Sequence, residues 1–145
     1  MLLSLGSDHG GFELRKELIV LLQNEGHELI VRGNDDGSPV DYPEIAYQVS
    51  ADVLEKRSEL GILICGTGIG MSNAASRVDG ITAALCCNSY MARMARLHND
   101  ANILCLGGRV LGKELAWDIV TEFIGNMPLM DEKYIRRRKK VKAIR

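Results

Sequence analysis

Apolar residues come along this chain in two kinds of block, and the two alternate. Short unbroken runs bounded by glycine or polar turns recur at Leu2–Leu5, Leu29–Val31, Leu60–Ile64, Ile81–Leu85 and Ile103–Leu106. Runs this short and continuous predict strands buried on both faces. Between them the spacing opens to a helical period. Leu14, Leu18, Leu21 and Leu22 stand at i, i+4, i+7 and i+8 and predict a helix over Phe12–Asn24. Glu13, Arg15, Lys16 and Glu17 fall mostly off that stripe, and Asn24 and Gly26 supply the stop. Asp41-Tyr42-Pro43 opens a second helix whose buried side is Ile45, Val49, Val53 and Leu54. A third begins near Ile69 or Gly70, a fourth spans Ser89–Leu97 and a fifth Leu115–Ile124. Arg32–Val40, with two glycines, two aspartates and a proline, reads as a surface loop.

Strands and helices that alternate with no repeat, linker or low-complexity stretch predict one domain over residues 1–145. The fold expected is a three-layer α/β/α sandwich around a five-stranded parallel, Rossmann-like sheet, followed by a C-terminal helical tail. Ligands of such sheets sit at the carboxyl ends of the strands. Polar residues gather there: Asp8 and His9 after the first strand, Cys65 and Thr67 after the third, Asn88 after the fourth and Arg109 after the fifth.

Composition narrows the class. Hydrophobic residues at 46% and charged ones at 26% suit a soluble globular protein, and no apolar run is long enough to span a membrane. Met1–Leu5 lacks the basic start of a secretion signal, and four cysteines without a Cys-x-x-Cys pair read as free thiols, so the expected location is the cytoplasm. The net charge of −1 hides an asymmetry: residues 133–145 hold eight basic residues and no acidic one. With no aromatic platform beside it, that tail reads as a packed helix or an arm reaching over an acidic partner subunit, ahead of a nucleic-acid arm.

The chemistry points to the stretch after the third strand. Gly66-Thr67-Gly68-Ile69-Gly70 lies between a buried strand and a helix, where free N–H groups and the helix dipole stabilise a phosphate or a developing oxyanion. A dinucleotide fingerprint is excluded by Met71 in place of its last glycine, and no P-loop lysine follows. A lone cysteine is usually a buried structural thiol. Cys65, at the lip of this loop, is placed where a thiolate is favoured. Cys86, Cys87 and Cys105 keep the structural reading, and no His–Cys spacing suggests a metal. His98, before Asn99 and Asp100 at a helix end, reads as either a cap or a catalyst, and His9 beside Asp8 carries the same two readings.

Five stretches together resemble one family over nearly the whole chain, the ribose-5-phosphate isomerase B and galactose-6-phosphate isomerase family. They are Gly6–Gly11, Asp41-Tyr42-Pro43, Gly61–Gly70, His98–Asn102 and Gly107–Val110. The resemblance is to the type-B ribose 5-phosphate enzymes in particular. It implies interconversion of D-ribose 5-phosphate and D-ribulose 5-phosphate, a step of the non-oxidative pentose phosphate pathway, with neither metal nor organic cofactor. It implies Cys65 as the base between C2 and C1, since Met71 stands where another branch carries a glutamate. Thr67 would relay protons between O1 and O2, and His98 with Asp8 would open the ring. The amides of Gly66, Gly68, Ile69 and Gly70 would hold the enediolate. His9, Arg109, Lys133 and Arg137 would face the phosphate, and Tyr42 and Asn99 the sugar.

One segment departs from the family's pattern. Where the family usually reads Gly-Gly-Arg-His-x-x-Arg, this chain has Glu132-Lys133-Tyr134-Ile135-Arg136-Arg137. Lysine keeps the charge but loses the bidentate fork. On the helix expected here, Arg138 and Lys139 point away from Arg137. The resemblance further implies a homodimer or a pair of dimers, with residues 131–145 packed on a partner subunit and sites built across the interface. The competing class is a non-catalytic sugar-phosphate or nucleotide-binding module, which needs neither Cys65 nor His98.

Overall fold

A computed structural model of the chain describes residues 1–144. Five parallel strands, β1 (Leu2–Ser7), β2 (Glu28–Arg32), β3 (Leu60–Cys65), β4 (Ala83–Leu85) and β5 (Ile103–Gly107), form one sheet in the order β2-β1-β3-β5-β4. Six helices accompany them: α1 (Phe12–Asn24), α2 (Tyr42–Leu54), α3 (Ile69–Ser76), α4 (Ser89–Leu97), α5 (Lys113–Ile124) and α6 (Glu132–Lys142). The expected α/β/α sandwich with a helical tail is the architecture found.

The side-chain alternation of a strand divides the core in two. Leu60, Ile62 and Ile64 of β3 face one layer, where Leu14, Leu18 and Leu22 of α1, Ala92 and Ala95 of α4, and Ile119, Val120 and Phe123 of α5 are buried. Leu63 and Cys65 face the other, packed with Ile45, Ala46 and Val49 of α2 and Met71 and Ala75 of α3. α2 lies very close to the sheet. A Cβ built on Gly61 would stand 2.7 Å from a Val49 methyl, so only glycine fits under that helix.

Connections from β1 and β3 leave toward opposite layers. That makes the crevice between the carboxyl ends of these two strands a topological switch point, the usual ligand position of an open α/β sheet.

Three details differ from the periodicity. β4 is shorter than the Ile81–Leu85 run, because only Ala83–Leu85 pairs with β5. Leu54 is exposed, not buried. The buried stripe of α2 ends instead on Asp52, a carboxylate with no solvent exposure, and that rotation turns Leu54 outward. Arg15 is buried in α1: its guanidinium donates to the carbonyls of Arg32 and Asn34 and ties down the loop after β2.

Candidate active site

Cys65 is the last residue of β3, and its Sγ accepts a hydrogen bond from the Gly68 N–H at 3.1 Å. Gly68 supports this geometry with φ of +80°, a left-handed conformation available to glycine without strain. α3 starts at the next residue, and the Thr67 hydroxyl accepts from the Ile69 N–H at 3.2 Å across its mouth. Thr67 and Ile69 are exposed, while Cys65 is buried behind them. The cysteine sulfur therefore lies at the base of the glycine loop, hydrogen-bonded to one of its backbone amides.

Two neighbouring loops close on this one. The Gly108 N–H donates to the Cys65 carbonyl at 2.7 Å, and the Arg109 N–H donates to the Gly66 carbonyl at 3.0 Å. Arg109 thereby extends along the loop, its Nη1 3.6 Å from where a Gly66 side chain would begin. From β1, Asp8 caps a short 3-10 turn at His9–Gly11, its Oδ1 accepting from Gly10 N–H (2.9 Å) and Gly11 N–H (3.2 Å). Both bonds fall on Oδ1, so Oδ2 takes neither. His9 is exposed beside that turn. Tyr42, in the first turn of α2, lays its ring against Gly70, where an added Cβ would meet ring carbons at 2.9 Å. Asp8, His9, Tyr42, Cys65, Gly66, Thr67, Gly68, Ile69, Gly70 and Arg109 are thus one group at the carboxyl end of the sheet.

The remaining candidates form a second group at the other end. His98 is the C-cap of α4, which runs back from the carboxyl end of β4 toward the start of the sheet. Thr82, the residue before β4, shares with His98, Asn99, Tyr134, Arg137 and Arg138 a cleft of about 270 Å³. The start of β5 at Ile103 pairs with Ala83, whereas its end at Gly107 pairs with Cys65. Four strand residues, about 13 Å, therefore separate the two levels within one chain. Lys133 lies beside this cleft, its Nζ 5.0 Å from the centre of the Tyr134 ring.

Two residues here escaped the sequence reading. Arg138 does not point away: it donates to the carbonyls of His98 (3.2 Å) and Leu129 (3.0 Å) and pins α6 to the end of α4. Tyr134 stacks on His98, with ring centroids 4.6 Å apart and planes 15° from parallel. The available signal was their i, i+4 spacing, which puts Tyr134 and Arg138 on one face of a helix. Asn88 is a helix cap, its side chain accepting from the Met91 N–H.

Two of the other thiols, Cys86 and Cys105, behave as buried structural groups. Burial pushes the Cys86 thiol up to about 11 and drives Cys105 higher still, so neither offers a thiolate near neutral pH. Cys87 is exposed. Among the described residues no group of three or more His, Cys, Asp or Glu side chains is arranged to hold a metal ion, and no helix is long and apolar enough to cross a membrane.

A parallel α/β sheet with a cysteine set in a glycine-rich loop at its switch point has the architecture on which sites for small anionic molecules are commonly built. The family model described as Ribose/Galactose Isomerase matches residues 3–144, and the chain belongs to that family. Ribose-5-phosphate isomerase B of Escherichia coli strain K12 is 43% identical over 123 residues, covering 85% of this chain and 83% of the relative. Among solved structures, ribose-5-phosphate isomerase B of Clostridium thermocellum superposes with a TM-score of 0.93 at 45% identity, covering 98% of this chain and 95% of that one. The Thermotoga maritima enzyme of the same name gives 0.94 at 43% identity, with 99% and 98% covered.

Proposed function

We propose that this protein is a ribose-5-phosphate isomerase of type B, interconverting D-ribose 5-phosphate and D-ribulose 5-phosphate through a cis-enediolate. The observation that carries the reading is the Cys65 sulfur held by the Gly68 amide inside a loop assembled from three strand ends. The reaction transfers hydrogen between two carbons of one molecule and leaves the substrate's overall oxidation state unchanged. A base beside an oxyanion site therefore suffices, without metal or organic cofactor.

His98 donates a proton to the ring oxygen, and Asp8, through its free Oδ2, orients or deprotonates the hydroxyl that becomes the aldehyde. The Cys65 thiolate then removes the C2 proton and returns it at C1. Thr67, exposed at the mouth of α3, relays protons between O1 and O2. Amide groups of Gly66, Gly68, Ile69 and Gly70 meet the negative charge as it develops, where fixed dipoles need no reorganisation. His9 and Arg109 hold the phosphate from one side, and Tyr42 lines the sugar.

His98, Asn99, Lys133 and Arg137 stand at the opposite end of their own sheet, so they act on the Cys65 of a second copy. The working form is a homodimer or a pair of dimers in which the tail from residue 131 to residue 144 reaches the partner. Exposed Tyr90, Met130 and Val141 supply apolar surface for that contact. The enzyme works in the cytoplasm, where its thiols stay reduced.

The test is turnover of ribose 5-phosphate by the purified protein and by Cys65→Ala. The variant is expected to lose isomerisation while retaining the fold and much of the substrate affinity. Binding of the sugar phosphate by the unmodified protein without turnover would instead favour a binding module.

A further inference from the structure

A general acid must hold its proton-bearing atom at a fixed point, and a histidine usually achieves this through a hydrogen bond on its second ring nitrogen. His98 has no such partner: among the described residues neither ring nitrogen makes a hydrogen bond. Its backbone is well held, since its N–H donates to Met94 and its carbonyl accepts from Arg138. The imidazole itself touches another ring, that of Tyr134.

The segment bearing Tyr134 is anchored independently of that stack. The Leu129 N–H donates to the Leu97 carbonyl at 2.9 Å, and Arg138 bridges the carbonyls of His98 and Leu129. Tyr134 is thus delivered to the imidazole by a braced segment, and near-parallel stacking at 4.6 Å restricts rotation of the His98 ring while leaving both nitrogens free. The same phenol ring carries Lys133 Nζ at 5.0 Å and the Arg137 guanidinium at 6.0 Å. One side chain therefore lies within 6.0 Å of the acid and of both cations.

We infer that Tyr134 is a positioning residue: its ring orients the His98 imidazole for ring opening and registers it against the phosphate-facing cations of the same helix. The inference rests on the isomerase reading and on the assignment of ring opening to His98.

Tyr134→Ala and Tyr134→Phe separate this role from mere helix packing. In proton NMR, the His98 ring signals, identified by their loss in His98→Asn, are expected to move downfield in Tyr134→Ala and to stay in place in Tyr134→Phe. In kinetics, Tyr134→Ala is expected to lower kcat on cyclic ribose 5-phosphate by roughly tenfold to a hundredfold. The kcat for proton exchange at C2 of an open-chain sugar phosphate that cannot cyclise should be unchanged, with any loss of registry of the cations read in its KM, and Tyr134→Phe should restore the cyclic activity. Equal losses on both substrates, an undamaged Tyr134→Ala, or a Tyr134→Phe as impaired as the alanine variant overturns the inference while leaving the isomerase reading intact. If the unmodified protein turns over neither substrate, the isomerase reading fails, and this inference with it.

Discussion

At the scale of single residues, the site depends on side chains that are missing as much as on those present. A Cβ on Gly10 would lie 2.8 Å from the Gly66 nitrogen, and one on Gly108 would lie 2.8 Å from the Gly10 carbonyl oxygen. Three loops can therefore touch only while these positions stay bare. Because the neighbour of Gly10 is backbone, a methyl there must displace the loop that carries the proposed oxyanion site. Gly10→Ala is expected to remain folded but to lose on the order of a hundredfold in kcat, the cost of a shift near 1 Å in a reacting group. Steady-state kinetics beside a thermal melt checks this; wild-type kcat in a folded variant would mean that the loop contact is not part of the site. The glycines could be read from the sequence as a loop, and Cys65 as its lip. Their mutual contact could not, since it joins residues more than forty positions apart.

At the scale of elements, α2 is fastened to the sheet by a buried charge. Asp52 accepts from the Ser4 hydroxyl at 2.7 Å and from Arg32 Nε and Nη2 at 2.9 and 2.7 Å, and Arg57 Nε joins it at 2.9 Å. Burial would push this carboxyl up, but the bonds from Arg32, Ser4 and Arg57 outweigh it and hold the group at about 2. A carboxylate depressed by folding stabilises the native state above its unfolded value near 3.8, and the contribution is lost as pH falls through about 2. The amount is on the order of 2 kcal/mol, against the several that a buried charge loses when its partners go. Asp52→Asn should lower the unfolding free energy at neutral pH and remove this part of the acid sensitivity. Urea titrations from pH 6 to pH 2 measure it; a constant gap between the two proteins across that range contradicts the assignment. Periodicity missed this element detail because an aspartate in a helix reads as outward-facing, and only the cations on β2 and after α2 make its burial tolerable. Arg15 escaped for the same reason, its neutral partners being the carbonyls of Arg32, at the end of β2, and of Asn34 in the loop beyond it.

At the scale of the whole molecule, the decisive fact is that the candidate residues form two groups about 13 Å apart along the strands. In the proposed dimer, His98, Tyr134 and Arg137 travel together on one chain, while the Cys65 they serve belongs to the neighbour. Mixing Cys65→Ala chains with His98→Asn chains should therefore recover activity, because each mixed dimer contains one intact site and one doubly damaged one. Mixing His98→Asn with Arg137→Ala should recover none, because every mixed site keeps one lesion. Recovery in the second mixture, or none in the first with mixed dimers shown to form, would contradict a shared site.

Local order was available from the amino acids alone. Apolar runs and helical stripes depend on neighbours within a few residues, so they marked the five strands, the helices between and after them and the glycine loop at the end of β3, while the basic run at the C-terminus marked the helical tail. The family resemblance added the residues to watch. Packing decided the rest. Strand order brought Asp8, Cys65 and Arg109 into one crevice, and the return of α4 carried His98 to the far end of the sheet. Docking of α6 on that end set Tyr134 against His98 and turned Arg138 from a solvated charge into an anchor. Such contacts join distant segments, and their free energy depends on which groups desolvate together, a property of the folded arrangement that no short stretch of chain carries.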